Sequence, residues 1–254
     1  MSDLLKLQDA QALYGLKQTI KLKFKAGQFI SLLGMNGSGK SSLLKLICGL
    51  NYQSGLLHIQ GRPIHSLPAL ERARLLSYLP QDSPVSQHWT VHELIKQGLY
   101  PHQGLKSVHE CNSIVHRICT QLCLNHLLHR PLIQLSGGEK QKALIARLLV
   151  QDTQIILLDE PLSALDWPRQ ESILQILKQH CIQNNALVIM VLHDLNLAAL
   201  YSDQLLLLKQ GKVLVQDSPK NLLDSPLIES CFETKPLTIQ HPRQAIAQIL
   251  PRGL

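Results

Sequence analysis

Two hydrophobic periodicities divide the 254-residue chain. Near its start apolar and polar residues alternate, in Leu5-Lys6-Leu7-Gln8 and Ile20-Lys21-Leu22-Lys23-Phe24, which predicts strands with one covered face. Later runs are almost continuously apolar: Phe29-Ile30-Ser31-Leu32-Leu33, Ile155-Ile156-Leu157-Leu158 and 186–192. Such runs belong to strands buried on both faces of a parallel sheet. Helical spacing at 41–48, 138–150 and 168–183 supplies the covering layers, so the alternation of elements predicts an α/β fold. A short strand at 56–61 joins the alternating layer, and a strand over 75–79 ends at Pro80, where extended chain gives way to a loop. The run 205–208, the pair Gln210-Gly211 and the run 212–215 predict a closing hairpin.

Between residues 83 and 135 strand patterning stops. Helical runs at 91–98 and 108–124, rich in His and Cys, predict a helical subdomain inserted into a core formed by 1–82 and 136–220. The tail 221–254 carries Pro226, Pro236, Pro242 and Pro251 and is weakly patterned.

The chemistry concentrates where a predicted strand meets a predicted helix. Gly34-Met35-Asn36-Gly37-Ser38-Gly39-Lys40-Ser41 follows a buried strand and opens a helix, the context in which this spacing forms a phosphate-binding P-loop. Glycines let backbone N–H groups converge on an anion, and the helix adds its free amides and the positive end of its dipole. Lys40 would reach the β- and γ-phosphates, and Ser41 would offer its hydroxyl to Mg²⁺. The strand 155–158 ends in Asp159-Glu160, and ligands of a parallel sheet gather at such carboxyl ends, so Asp159 is expected near the metal and Glu160 near the γ-phosphate. Leu135-Ser136-Gly137-Gly138-Glu139 opens a second helix with free amides suited to a phosphate. One nucleotide does not need two such loops; the second is expected to serve a nucleotide held by another copy of the chain.

Composition narrows the alternatives. A net charge of +7 permits nucleic acid, an anionic membrane surface or phosphate ligands, but basic residues are scattered and aromatics make up only 4%, too few for a base-stacking platform. No nucleic-acid partner is expected. No run of 18 apolar residues and no signal peptide are present, which points to a reducing cytosolic setting. Cys48, Cys111, Cys119, Cys123, Cys181 and Cys231 are therefore read as small buried hydrophobes with free thiols. His116, Cys119 and Cys123 have helical spacing that invites a metal, yet the same face continues through Ile118 and Leu122, and core packing is the better reading.

Together the motifs resemble those of ATP-binding-cassette (ABC) ATPases, the nucleotide-binding subunits of ABC transporters. The resemblance rests on the P-loop at 34–42, Gln81 in Leu79-Pro80-Gln81, the signature Leu135-Ser136-Gly137-Gly138-Glu139, Asp159-Glu160, Ser163-Ala164-Leu165-Asp166 and His193, and it spans nearly 1–220. It implies a RecA-like P-loop NTPase core with an antiparallel layer and an inserted helical subdomain. By the same resemblance Gly34, Asn36, Gly37, Ser38, Gly39, Lys40, Ser41 and Ser42 bind ATP, while Ser41, Asp159 and Gln81 hold or sense Mg²⁺. Glu160 is the implied general base or water-polarising group, with His193 on the γ-phosphate. Ser136, Gly137 and Gly138 would close over ATP bound to a second copy in a head-to-tail dimer.

Three positions depart from the usual pattern or strain it. Glu139 stands where glutamine is usual; its helical position can turn it away from the ligand, and reduced or unchanged activity is expected. Ser42 replaces a common threonine without altering the metal ligand. Tyr14 is a candidate to stack on adenine, although the segment joining it to the P-loop looks short. Leu76-Ser77-Tyr78-Leu79-Pro80-Gln81, Gly98-Leu99-Tyr100-Pro101-His102 and Val191-Leu192-His193-Asp194-Leu195-Asn196-Leu197-Ala198 further resemble importers of iron chelates, haem and vitamin B12, with Leu99 standing where arginine is common. The implied setting is the cytoplasmic face of the inner membrane. The implied partners are multi-span permease subunits and, indirectly, a periplasmic or extracellular substrate-binding protein. The alternative is a soluble or exporter-type ABC ATPase acting on another partner.

Overall fold

The computed structural model describes residues 3–223, 225–233, 237–241 and 247–250. The alternating start of the chain forms β1 (Leu5–Ala12) and β2 (Ile20–Phe24), paired antiparallel with Leu5 opposite Phe24 and Leu7 opposite Leu22. This register puts the apolar set on one face, buried, and leaves Lys21 and Lys23 exposed. β3 (Phe29–Leu33) is buried along its whole length and runs through the P-loop into α1 (Lys40–Ile47). β4 (Tyr52–Ile59) and the two-residue β5 (Arg62–Pro63) complete a four-stranded antiparallel sheet in the order β2-β1-β4-β5. β4 starts earlier than the strand expected from residue 56.

A helix that the pattern does not announce, α2 (Ala69–Leu75), precedes β6 (Leu76–Leu79); Leu75 therefore ends a helix instead of starting the strand. Next come α3 (Val91–Gln97), α4 (Val108–Gln121) and α5 (Gly137–Val150). Each begins with a capping box, Thr90 with Glu93, Ser107 with Glu110 and Ser136 with Glu139, in which hydroxyl and carboxylate satisfy each other's backbone N–H. The close approach of α3 and α5 depends on Gly98, where a Cβ would lie 2.1 Å from the Arg147 carbonyl oxygen.

The remaining core elements alternate: β7 (Ile155–Leu158), α6 (Trp167–Gln183), β8 (Leu187–Val191), α7 (Leu195–Tyr201), β9 (Gln204–Lys209) and β10 (Lys212–Asp217). They join β3 and β6 in a six-stranded sheet of order β10-β9-β3-β8-β7-β6, parallel except for β10. The β9–β10 turn places Gln210 and Gly211 at φ +49° and +78°, the left-handed pair a tight hairpin requires.

The sheet separates two cores, which is why its strands read as continuous apolar runs. Ile30, Leu32, Ile155, Leu157 and Ile189 pack toward α1 and the antiparallel layer, whereas Phe29, Leu33, Ile156, Leu158 and Met190 pack among the helices on the other side. Because β8 and β9 flank β3 and β7 adjoins β8, the loops after β3, β7 and β8 meet at one sheet edge.

The tail carries elements that its sequence pattern left unassigned, and the reading of the cysteines needs correction. The weakly patterned tail is built: α8 (Pro219–Leu222) and α9 (Pro226–Phe232) are followed by an antiparallel hairpin of β11 (Leu237–Gln240) and β12 (Ala247–Leu250). The pattern is faint because β11 is exposed along its length and only Ala247 of β12 is fully buried. The cysteines are also not uniformly buried: Cys48, Cys119, Cys181 and Cys231 are, Cys111 is half-buried and Cys123 is exposed. α4 ends at Gln121 and Cys123 turns left-handed at φ +56°, so it leaves the face that Cys119 shares with the core.

Candidate nucleotide site

The glycines shape the P-loop before any side chain acts. Gly37 and Gly39 hold φ values of +74° and +103°, conformations unfavourable to residues bearing a Cβ. A Cβ on Gly39 would lie 2.8 Å from the Gly15 carbonyl oxygen, so the Tyr14-Gly15 loop lies directly against the P-loop. The resulting cavity, about 350 Å³, is lined by P-loop residues 36–42 together with Gly15, Gln81, Glu160 and His193.

Lys40 is buried, and its ammonium donates to the carbonyls of Gly34 (2.8 Å) and Met35 (3.0 Å). Burial holds its pKa below the usual lysine value, with the charges of Glu160 and Asp159 opposing that shift. Gly34 thus contributes a carbonyl to Lys40 and does not line the cavity itself.

Glu160 follows β7 with φ +52°, a left-handed turn that redirects the chain after the strand. Gln81 Nε2 donates to Glu160 Oε2 at 3.1 Å, and His193 Nε2 lies 3.0 Å from Glu160 Oε1. The three residues from the loops after β6, β7 and β8 therefore meet on one carboxylate at the wall of the P-loop cavity. Both carboxylate oxygens have a nitrogen partner, which fixes the group's plane.

Asp159 is buried beside them. Burial raises its carboxyl above the ordinary carboxylate range, a hydrogen bond from Ser41 works against that rise, and the Glu160 charge adds to it. Tyr78 donates to Asp159 Oδ2 at 3.5 Å, whereas Asp159 Oδ1 has no hydrogen-bond partner among the described residues, nor has the buried Ser38 Oγ. An orphaned carboxylate oxygen next to a serine hydroxyl is costly in a protein interior unless something charged completes it. Ser41, Asp159 and Gln81 offer hard oxygen donors, a set that fits Mg²⁺. The orphaned Ser38 hydroxyl inside the loop fits a phosphate oxygen in the same way.

Ser136, Gly137 and Gly138 lie away from this cavity, at the start of α5. Gly137 lines a separate groove of about 880 Å³ with residues 81–87, Lys140, Gln141, Leu144 and Ala164. Glu139 folds back on the signature serine: its Oε2 accepts from the Ser136 N–H at 2.9 Å and from the Ser136 hydroxyl at 2.7 Å. These bonds hold its pKa below the ordinary glutamate value. Of the signature-side residues, Asp166 caps α6 by accepting from the Arg169 N–H at 3.2 Å, and Ser163 donates its hydroxyl to the Glu160 carbonyl at 3.2 Å.

Tyr14 is 55% exposed and does not line the cavity, although its neighbour Gly15 does. The loop is fixed by Asn51, which accepts from the Tyr14 N–H at 3.2 Å and donates to its carbonyl at 2.9 Å. Gly15, Asn51 and Tyr78 were not singled out by sequence reasoning. A Cβ on Gly15 would meet Ser42 Oγ at 1.9 Å, a packing constraint with no local sequence signal. Tyr78 occurs in a segment of recognisable pattern, but only the pairing of β6 with β7 puts it next to Asp159.

Comparison with known proteins agrees with this geometry. Residues 17–163 match the ABC transporter family model. The hemin import ATP-binding protein HmuV of Pseudomonas entomophila is 37% identical over 239 residues, covering 92% of both chains. YusV of Bacillus subtilis, named as a probable siderophore transport system ATP-binding protein, is 35% identical over 237 residues, covering 92% of this chain and 86% of its own. Among solved structures, the ATP-binding cassette MJ0796 as a dimer bound to ADP and Pi is 27% identical, with a TM-score of 0.75 over 84% of this chain and 98% of that one. An inward-facing ABC transporter described as of metal-chelate type reaches a TM-score of 0.82 over 99% and 98% of the two chains; at 24% identity it supports the fold alone. With a P-loop cavity, a carboxylate shared by Gln81 and His193, and relatives matched over nearly their whole length, the chain belongs to the ABC transporter ATPase family.

Proposed function

We propose that this protein is the ATP-hydrolysing subunit of an importer for a metal chelate, haem or an iron-siderophore, acting through a separate permease. The observation that carries the reading is the Glu160 carboxylate, aligned by Gln81 at 3.1 Å and His193 at 3.0 Å on the wall of the P-loop cavity. ATP hydrolysis is phosphoryl transfer to water, in which positioning and charge stabilisation do most of the work. The P-loop amides and Lys40 bind the phosphates, and Ser41 and Asp159 hold Mg²⁺, which neutralises phosphate charge when bound. Glu160 accepts a proton from the attacking water, Gln81 keeps that carboxylate beside the metal ligands, and His193 contacts the γ-phosphate. Tyr14, on the loop pinned by Asn51, stacks on adenine.

The cargo assignment is supported by the relatives: HmuV is named for hemin import and YusV for siderophore transport. Partner assignments are supported by surfaces. Exposed Ser136 and Gly137, with Gly138 behind them at the start of α5, face a second copy's ATP, and the groove between residues 81–87 and α5 receives a cytoplasmic segment of the permease. Among the described residues no helix is long and apolar enough to cross a membrane, in keeping with a peripheral subunit on the permease's cytoplasmic side. Residues 83–135 act as the permease-facing subdomain and 1–82 with 136–220 as the ATP-binding core.

The test is Glu160→Gln, which preserves shape and removes the proton acceptor. Hydrolysis should fall by about 10²- to 10⁴-fold, the range for loss of a general base, while ATP affinity is retained. Turnover at the wild-type rate would refute the role of Glu160. In the intact protein reconstituted with its permease and binding protein, haem or ferric-siderophore should stimulate hydrolysis; no stimulation by either class would refute the cargo.

A further inference from the structure

The C-terminal hairpin packs against α7 and is hydrogen-bonded to it through Asn196. Asn196 lies in the first turn of α7, three residues after His193. Its Nδ2 donates to the Ile249 carbonyl at 3.0 Å, and its Oδ1 accepts from the Ile249 N–H at 2.8 Å. The N–H and C=O of one strand residue point to the same side, so at Ile249 both face away from β11, which pairs with the opposite edge of β12. A single side chain therefore joins α7 to β12 as an added rung would, with two bonds whose directions are fixed.

That rung stands immediately behind His193. Asp194 Oδ1 accepts from the N–H groups of Asn196 (2.8 Å) and Leu197 (3.0 Å), capping α7, and His193 is held between this cap and the end of β8. His193 is half-exposed, and its Nε2 lies 3.0 Å from Glu160 Oε1. A seven-residue helix has little intrinsic stability and cannot set its own direction. Its direction must come from what packs against it, and β12 does so through Asn196, anchored by buried Ala247 and half-buried Ile249 in the helical core. The tail is tied to the P-loop side as well. Cys231 of α9 donates to the Leu208 carbonyl at 3.5 Å and Lys209 to the Ser230 carbonyl at 2.6 Å, while a Cβ on Gly34 would lie 2.2 Å from that same Leu208 oxygen.

We infer that Asn196 is a positioning residue for His193, and that the C-terminal hairpin is the strut keeping that histidine in register with Glu160. The inference rests on the role proposed for His193. Misplacing a reacting or charge-stabilising group by about 1 Å can cost about 10²-fold in rate, so loss of one bridge that leaves the cap intact should cost less.

The experiment compares steady-state ATP hydrolysis by the full chain carrying Asn196→Ala, Ile249→Pro, both together, Asn196→Asp, or His193→Ala. Proline at 249 removes only an N–H that faces Asn196, not one bonded to β11. Asn196→Ala and Ile249→Pro should each lower kcat about tenfold with KM for ATP changed less than about twofold, because the P-loop is untouched. The double variant should fall no further than either single one. Asn196→Asp keeps the acceptor and loses the donor, and should fall between wild type and Asn196→Ala; it serves as the second variant if Ile249→Pro does not fold. A lowered melting temperature with kcat unchanged in Asn196→Ala, or additive losses in the double variant, would overturn the inference. Impaired His193→Ala beside normal Asn196→Ala would overturn this inference alone; normal His193→Ala would overturn the assigned role of His193 and this inference with it.

Discussion

Gly39 shows how much of the site depends on single backbone positions. Its φ of +103° and the 2.8 Å approach of a Cβ to the Gly15 carbonyl mean that Gly39→Ala both strains the chain and pushes the P-loop from the Tyr14-Gly15 loop. The left-handed backbone alone costs about 1–2 kcal/mol. Gly61 in the β4–β5 turn is a suitable control, because it has φ +75° but open space around its Cβ position. Both alanine variants should melt at lower temperature, and only Gly39→Ala should weaken nucleotide binding, by tenfold or more on a fluorescent ATP analogue. Equal affinities in the two variants would show that the Gly15 contact is unimportant. The P-loop residues were legible because their chemistry is local, whereas Gly15, Asn51 and Tyr78 matter only through neighbours distant in sequence.

Among the elements, the helices α3, α4 and α5 share a device whose consequence is a pH dependence. Glu93, Glu110 and Glu139 are each held below the ordinary glutamate value by bonds from the hydroxyl and N–H of the capping residue. The unfolded chain binds protons at these sites at a pH where the folded chain does not, so stability rises with pH across that window. The contribution is complete above the unfolded value and is lost as pH falls through the folded values. Replacing all three with Gln keeps the acceptor of each box but removes the titration. Melting temperature measured between about pH 3 and 6 should fall less steeply toward acid in the triple variant, and an unchanged slope would refute the assignment. The Ser/Thr-to-Glu spacing is present in the sequence at all three places, and at Ser136 and Glu139 it coincides with the signature. α2 escaped notice because none of its residues is fully buried, so it carries no apolar stripe.

At the scale of the whole molecule, the P-loop cavity is lined without Ser136, Gly137 or Gly138, so the role proposed for these residues calls for a second copy of the chain. Glu160→Gln protein, which traps ATP, should sediment as a dimer with Mg²⁺ and ATP and as a monomer without nucleotide; a monomer at saturating ATP would refute the head-to-tail reading. The sequence by itself determined the strand-and-helix order and the parallel sheet, and marked Lys40, Asp159 and Glu160 as candidates, through hydrophobic period and residue types whose spacing is local. Gln81 and His193 were expected from the family resemblance alone. Only the tertiary structure decided that Gln81 and His193 share one carboxylate, and that Asn196 of α7 bonds to Ile249 of β12. Both contacts join segments far apart in the chain, and the first is brought about by the order in which β8, β7 and β6 pair, which no local periodicity encodes.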